Sequence, residues 1–250
     1  PETPFEGIYQ VPSGRRLIIE QEINTKTWWT LPFLPERDKA KCNNWEDQVS
    51  TVLNDAVKYR LISDTPLGIF LSGGLDSALI LSLAAKHGLP DNFTAFTAGF
   101  DSTSFDETRH AKELANQFGV RHVSVHIGPS DIERIFNDVI YKSDNLLANP
   151  AMFANYLLSE VASKEVKAVL HGGGGDELFF GYPTYRADQL SKWISRLPNP
   201  LLKLLLAGVT VAPTSYKKLG MKYKATKFLE GLEYPSHKRH YWWRTILTES

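Results

Sequence analysis

Residues that can bind a phosphate group are concentrated in one short segment of the chain. Within the sequence Leu-Ser-Gly-Gly-Leu-Asp-Ser they are Ser72, Gly73, Gly74, Asp76 and Ser77. The two glycines let the backbone turn tightly and bring its N–H groups close to an anion. The serine hydroxyls and the N-terminus of a following helix would add further donors. Asp76, on the first turn of that helix, is suited to bind Mg²⁺ beside a pyrophosphate.

This segment lacks the Gly-Lys-Ser/Thr ending of a Walker A loop. No lysine occurs between Tyr59 and Ala85, so the γ-phosphate contact of a kinase-type loop is missing. The alternative is an ordinary turn between a strand and a helix with common capping residues. The combination of glycines, serines and an acid at one junction favours phosphate binding.

A second glycine-rich tract, from His171 to Gly175, ends directly before Asp176. It lies between an apolar run and a helical pattern, which argues against a flexible linker. Ligands bind beyond the carboxyl ends of the strands in open α/β sheets, so we expect both tracts to face one crevice. Asp176 could then share a metal ion with Asp76 and offset charge on a departing pyrophosphate. We therefore assign Asp176 as the catalytic residue and both acids as metal ligands.

The elements that would position these tracts alternate between strand and helix. Short apolar runs at residues 67–71, 93–100, 122–127 and 166–170 predict buried strands. Each gap between them holds at least one helical pattern, as in βαβ units. The spacing predicts an α/β fold in which a parallel sheet is flanked by helices on both faces.

The two ends of the chain have different patterns from the centre. Residues 7–10 and 16–21 are strand-like and joined by a turn, which predicts a hairpin, and a proline-rich linker follows it. After about Tyr185 the patterns at residues 189–211 and 216–229 predict helices. We therefore expect three parts, namely residues 1–40, a nucleotide-binding domain at 41–185 and a helical extension at 186–250.

Composition excludes several classes of protein. The chain has 250 residues, 28 basic and 28 acidic side chains, and 42% hydrophobic residues. A formal net charge of zero argues against nucleic acid or an acidic membrane surface as partner. A single cysteine, Cys42, forbids an internal disulfide framework and favours a cytoplasmic location. Because the first methionine is Met152, we also expect the chain to be an internal segment of a longer protein.

Both glycine-rich tracts resemble known signatures. Residues 72–77 are similar to the pyrophosphate loop of the N-type ATP pyrophosphatases, and together with residues 171–182 they resemble the synthetase domain of glutamine-dependent asparagine synthetases. The resemblance implies an adenine nucleotide alpha hydrolase-like fold that ends in a truncated helical part. It also implies that residues 1–40 finish an upstream glutaminase domain.

The family resemblance further implies an activity and its substrates. Those enzymes use ATP and Mg²⁺ to activate a carboxylate, here aspartate or another acid, as its acyl-adenylate. Pyrophosphate is released, and ammonia derived from glutamine then attacks the acyl carbon to form an amide. Small molecules are thus the expected partners, without nucleic acid or membrane, and a homodimer stays an open alternative.

The resemblance also assigns roles to individual residues. Leu71, Ala98, His171 and Gly172 match positions that contact the adenosine. The pyrophosphate loop is matched by Ser72, Gly73, Gly74, Asp76 and Ser77. Asp176 matches an acid close to the nucleotide and the metal. The acidic pair Asp106 and Glu107 matches a segment near the nucleotide, although first-turn acids of a helix are equally consistent with this pattern.

Two departures from the family pattern keep alternatives open. Gly173 stands where the family usually carries Glu or Asp, an acid implicated in the chemistry on the adenylate, and His171 stands where it usually carries Ser. These changes allow a related ligase or cyclase that acts on another carboxylate, or an ATP-binding regulatory module without turnover. A tRNA-thiolating enzyme with the same pyrophosphate loop is disfavoured by the second tract and by the lack of catalytic cysteines.

Overall fold

The structure is a computed structural model of the chain. The residues it describes are 3–31, 44–144, 149–198, 207–209 and 220–244. The predicted proline-rich linker, beyond Leu31, and Cys42 lie outside these residues.

Strands and helices alternate through the centre of the chain. The strands are β1 (Arg15–Ile19), β2 (Ile23–Thr27), β3 (Leu67–Phe70), β4 (Thr94–Phe100), β5 (Arg121–Ile127) and β6 (Ala168–His171). The helices with known bounds are α1 (Trp45–Arg60), α2 (Leu75–Lys86), α3 (Thr108–Gln117), α4 (Pro129–Lys142), α5 (Ala151–Ala162), α6 (Gly175–Phe179), α7 (Pro183–Ile194), α8 (Met221–Gly231) and α9 (Ser236–Arg244). Residues 207–209 are also helical.

Strands β3 to β6 form one parallel sheet in the order β5-β4-β3-β6. The predicted α/β architecture with a parallel sheet is therefore confirmed. The chain moves outward from β3 through β4 to β5 and then returns to place β6 on the free side of β3. Phe70 and His171 are register partners, so β3 and β6 end at the same level of the sheet.

Helices cover both faces of this sheet, because its central strands are apolar on both sides. On one face Leu67, Ile69 and Leu71 pack in a core with Leu81 of α2 and Ala111 of α3. The opposite face packs Phe96 of β4 against Leu158 and Ala162 of α5. Burial on both faces holds the strand ends rigidly enough to position a site.

The structure corrects the predicted N-terminal hairpin. Residues 7–10 contain only an isolated bridge at Tyr9, and the antiparallel pair is β1 with β2. Gly7 has a φ of +75°, a left-handed conformation that ends a strand. Alternating β-branched residues Ile23, Thr25 and Thr27 favour the strand that the sequence reading missed.

The described residues of the C-terminal part are mainly helical, with bounds that differ from the predicted ones. Helix α7 ends at Ile194, and Pro198 follows in a region that is not helical, whereas residues 207–209 of the same predicted helix are helical. Proline disfavours helical geometry at the residue before it, which accounts for the early end. The second predicted helix corresponds to α8, while residues 199–206 and 210–219 lie outside the described residues.

Among the described residues, no helix combines the length and apolar character needed to cross a membrane.

Candidate functional site

The two glycine-rich tracts lie side by side at one edge of the sheet. Residues 71–74 join β3 to α2, and residues 172–174 join β6 to α6. The strand order reverses between β3 and β6, because the chain runs from β3 through β4 to β5 and then returns to the other side of β3. Such a switch point is where open α/β sheets form a ligand crevice. The structure thus brings together the two tracts that the sequence singled out.

Hydrogen bonds among its own residues hold the first loop in a tight turn. The Ser77 hydroxyl accepts the Ser72 N–H at 3.1 Å and lies 2.9 Å from the Ser72 hydroxyl. Gly74 N–H donates to Ser72 Oγ at 3.1 Å. Ser77 is only 5% exposed, so its hydroxyl braces the loop from within. The N-cap residue Gly74 gives α2 no side-chain cap, which leaves the first-turn amides of this helix available to an anion.

The second tract packs directly against the start of α2. A Cβ on Gly172 would lie 2.7 Å from Ser77 N and 2.8 Å from Asp76 Cβ. Both distances are shorter than the contacts that Cβ atoms make in proteins. A Cβ on Gly175 would lie 2.6 Å from Asp76 Oδ2. The absence of side chains at both glycines is therefore what lets the two loops meet.

Two acidic residues, Asp76 and Asp176, belong to the helix starts that follow the two loops. The Asp76 carboxylate lies over the backbone of Gly175, the residue before Asp176, and Asp176 is half-buried. The described residues contain no cluster of three or more His, Cys, Asp or Glu side chains able to hold a metal. Mg²⁺ commonly binds one or two carboxylates together with substrate phosphates, so two acids beside a phosphate loop fit this ion.

A cavity of about 480 Å³ opens beside the first loop, at the ends of β3 and β4. Its volume lies within the range of pockets that hold small ligands, and its wall is mainly apolar with a few polar groups, as in such pockets. The predicted residues Leu71, Ser72 and Ala98 line it. His171 and Gly172 lie on the other side of the loop, and His171 Nδ1 accepts the Gly173 N–H at 2.9 Å.

Most of the cavity wall was missed by sequence reasoning. Phe105 and Glu107 belong to the segment that the family resemblance places near the nucleotide, and both line the cavity. The unpredicted lining residues are Phe70, Phe96, Thr97, Phe100, Ile127, Ile132, Pro150, Ala151, Ala154, Asn155 and Leu158. Most are apolar and have no signature of their own. Asn155 carried a usable signal, because it is a polar residue within the otherwise largely apolar helix α5.

A buried polar chain supports the wall of this cavity. The Thr97 hydroxyl donates to the Leu71 carbonyl at 2.6 Å and lies 2.9 Å from His122 Nε2. Since the hydroxyl proton points to the carbonyl, the imidazole donates its Nε2 proton to the threonine oxygen. Burial, with a smaller effect from Lys112, lowers the pKa of His122 below its ordinary value. The neutral imidazole therefore fits this position.

The acidic pair before α3 divides into two roles. Asp106 Oδ1 accepts the Thr108 N–H at 3.1 Å, as an ordinary helix cap, and this bonding with Thr108 lowers the pKa of Asp106. Glu107 Oε2 instead accepts the Gly73 N–H at 3.1 Å. One acid thus serves its own helix, while the other reaches the first loop.

Comparison with known proteins places this geometry in a family. The sequence model of the family described as asparagine synthase matches residues 48–246, which is most of the chain. The chain belongs to the asparagine synthase family. The match covers both loops, the four sheet strands and the C-terminal helices up to α9.

Curated relatives are longer than this chain. Asparagine synthetase [glutamine-hydrolyzing] 1 of Bacillus subtilis is 33% identical over 218 residues, which cover 85% of this chain and 33% of that protein. A putative asparagine synthetase [glutamine-hydrolyzing] 2 of Methanocaldococcus jannaschii is 31% identical over 203 residues, or 80% of this chain and 39% of that protein. The chain thus spans about a third of the length of the relatives it matches.

Among solved structures, the chain is similar to the glutamine-dependent NAD⁺ synthetase of Acinetobacter baumannii in complex with adenosine diphosphate. The likeness has 24% identity and a TM-score of 0.40, over 63% of this chain and 30% of that one.

Proposed function

We propose that this chain is the synthetase part of an ATP-dependent amide-forming ligase that activates a carboxylate as its acyl-adenylate. The observation that carries the proposal is the meeting of the two glycine-rich loops at the ends of β3 and β6, beside the 480 Å³ cavity. Membership of the asparagine synthase family supports ATP-dependent ligation. The names of the relatives from Bacillus subtilis and Methanocaldococcus jannaschii support aspartate as the acid.

The cavity and the loops divide the nucleotide between them. The adenosine enters the cavity along Leu71 and Ala98, while the first-turn amides of α2 face the pyrophosphate. A carboxylate oxygen of the substrate attacks the α-phosphorus, and the bond from that phosphorus to its bridging oxygen breaks, which releases pyrophosphate. Backbone N–H groups and the positive end of α2 stabilise the charge that develops on the leaving group.

Asp76 and Asp176 are the residues that we assign to hold Mg²⁺. When bound, this ion supplies positive charge to the departing pyrophosphate. Asp176 is the residue that we assign to the catalytic step, because it lies in the first turn of α6, directly after the tract that packs on the first loop. His171 and Gly172 are the residues at the end of β6 that we assign to contact the adenosine, and Gly172 also lets its tract pack on the start of α2.

Amide formation completes the proposed reaction. The nitrogen of ammonia attacks the acyl carbon, the carbon–oxygen bond to AMP breaks, and the nitrogen loses one proton as AMP departs. We assign residues 1–40 to the end of a glutaminase-like domain that would supply the ammonia from glutamine. The printed names of the Bacillus subtilis and Methanocaldococcus jannaschii relatives support glutamine as the source.

A second candidate function is a ligase of the same type that acts on a different carboxylate. Gly173 favours it, because an acid is usual at this position in the family and none is present here. A relative from Penicillium rubens, 32% identical over 212 residues, is named an amidase rather than an asparagine synthetase. That match covers 76% of this chain and 31% of that protein.

Product analysis with the full-length protein that carries this chain tests the proposal. The protein is incubated with ATP, Mg²⁺, ammonium chloride and aspartate, and pyrophosphate, AMP and amide are measured. We expect one pyrophosphate and one AMP per amide. Release of ADP and phosphate instead would contradict adenylation, whereas turnover only with another acid in place of aspartate would select the second candidate.

Substitutions test the assignment of the two acids. Asp176→Asn and Asp76→Asn should each lower pyrophosphate release by about a hundredfold or more, because each removes charge that acts on the leaving group. Asp55→Asn, on an exposed position of α1, is the matched control and should leave the rate unchanged. If both Asp176→Asn and Asp76→Asn release pyrophosphate at the wild-type rate, the proposed metal site is wrong.

A further inference from the structure

The Glu107 side chain links the start of α3 to the pyrophosphate loop. Its Oε2 accepts the Gly73 N–H at 3.1 Å, across 34 residues of sequence. Glu107 also lines the 480 Å³ cavity. One carboxylate therefore lies between the proposed adenosine and pyrophosphate positions, at the point where the loop begins to turn.

The backbone of the loop rests against the same helix end. A Cβ on Gly73 would lie 3.0 Å from His110 Cβ and 3.3 Å from Glu107 Cβ. Both neighbours are the stiff first atoms of side chains near the start of α3, so neither can swing away. Gly73 is thus packed against the start of α3, and its N–H donates to the Glu107 carboxylate there.

Asp106, and not the Glu107 side chain, caps the start of α3. Glu107 is the N-cap residue of α3, yet its side chain makes no hydrogen bond that caps the helix. Asp106 takes the Thr108 N–H in its place. The chain therefore uses two adjacent acids where helix capping needs only one.

Resting on the proposed function, we propose that Glu107 is a positioning residue of the pyrophosphate loop. Two consecutive glycines leave the loop backbone free to adopt many conformations. A hydrogen bond from Gly73 N–H to a carboxylate, stronger than one to a neutral acceptor, selects the conformation in which the first-turn amides of α2 face the phosphates. ATP then binds to a loop that is already ordered, so binding does not have to order it.

Three variants of the full-length protein test this role. Glu107→Ala removes the acceptor, Glu107→Gln keeps an oxygen acceptor without the charge, and Glu113→Ala removes a surface acid of the same helix that pairs with Arg109. We expect ATP affinity, measured by calorimetry, to fall about tenfold in Glu107→Ala. Glu107→Gln should stay within about threefold of the wild type, and Glu113→Ala should match it.

Hydrogen exchange of the loop separates this inference from the proposed function. The peptide that spans residues 71–78 should exchange faster in Glu107→Ala than in the wild type, in the absence of any nucleotide. The same peptide should exchange at the wild-type rate in Glu113→Ala. Unchanged exchange in Glu107→Ala overturns the positioning role, whether or not the protein binds ATP.

Two other results would also overturn it. Wild-type ATP affinity in Glu107→Ala would mean that the loop needs no such support. Equal impairment in Glu107→Ala and Glu107→Gln would mean that an oxygen acceptor at position 107 does not support the loop. Failure of the wild type itself to bind ATP rejects the proposed function, and the exchange measurement then decides the role of Glu107 alone.

Discussion

His171 and Gly173 form a matched pair at the end of β6. A Cβ on Gly173 would lie 2.5 Å from His171 Cε1 and 2.6 Å from His171 Nδ1. The imidazole therefore occupies the space that a side chain at position 173 would need. Because Nδ1 accepts the Gly173 N–H, the neutral ring carries its proton on Nε2. The histidine and the glycine are thus substitutions that fit each other.

This pairing predicts how an acid could be restored at position 173. Gly173→Glu alone requires the exposed His171 ring to rotate away from the Gly173 N–H, so we expect a smaller gain in amide formed per pyrophosphate released than in a variant without the ring. The double variant His171→Ser, Gly173→Glu removes the obstacle and should raise that ratio about tenfold or more if the missing acid limits amide formation. His171→Ser alone is the control. An equal ratio in the single and double glutamate variants would contradict the steric coupling.

The two strand–helix junctions function as one unit because they pack on each other through glycine. Gly172 faces the backbone of Asp76 and Ser77 in the first turn of α2. Backbone atoms in a helix cannot move aside without loss of helical hydrogen bonds. The two loops can therefore lie this close only because position 172 is a glycine.

Gly172→Ala should separate these junctions. Overpacking of this kind costs about 1–3 kcal/mol of stability, and misplacement of the second loop should lower pyrophosphate release about a hundredfold. Gly128→Ala is the matched control, because its nearest contact would be an ordinary 3.7 Å from Asp131 Oδ2. Denaturant unfolding and pyrophosphate assays measure both effects. Wild-type release by Gly172→Ala would show that the loops need not touch.

A partly buried histidine in the sheet, His122, should make the stability of the protein depend on pH. His122 lies on β5, bound to Thr97 of β4, and burial lowers its pKa. Below about pH 6.5 the unfolded chain protonates this histidine more readily than the folded protein does. The stability that the neutral ring contributes is therefore present above this pH and is lost as the pH falls further.

Unfolding in denaturant at a series of pH values tests this effect. We expect the free energy of unfolding to fall between pH 7.5 and pH 5.5, and His122→Gln to make that fall shallower. His237→Gln, an exposed position on α9, should leave the slope unchanged. If the free energy of unfolding of His122→Gln falls with pH as steeply as that of the wild type, other groups cause the pH dependence.

The capping pattern in the sequence did not identify the first residues of α3 and α4 correctly. In the sequence, Ser104 with Glu107 and Ser130 with Glu133 match the capping-box pattern, yet α3 has Glu107 and α4 has Gly128 as N-cap residues. In α4, Pro129 occupies the first turn and Asp131 accepts the Gly128 N–H at 3.0 Å. Several residues near a helix start satisfy the same capping pattern, and packing on the sheet decides which one is used.

The sequence by itself determined the alternation of strands and helices, the two glycine-rich junctions and the resemblance to asparagine synthetases. These features depend on side-chain periodicity and on backbone freedom, which act over a few residues. The segment from Leu71 to Ser77 is an example, because its glycines, serines and acid predict phosphate binding without knowledge of which other elements contact the loop.

Only the tertiary structure decided which of these pieces touch. The return of β6 to the side of β3 places Gly172 on α2, and the start of α3 brings Glu107 to Gly73. The cavity wall likewise combines residues from β3, β4 and α5 that have no common sequence signature. Such contacts depend on strand order and packing across the whole domain, and no local pattern along the chain encodes them.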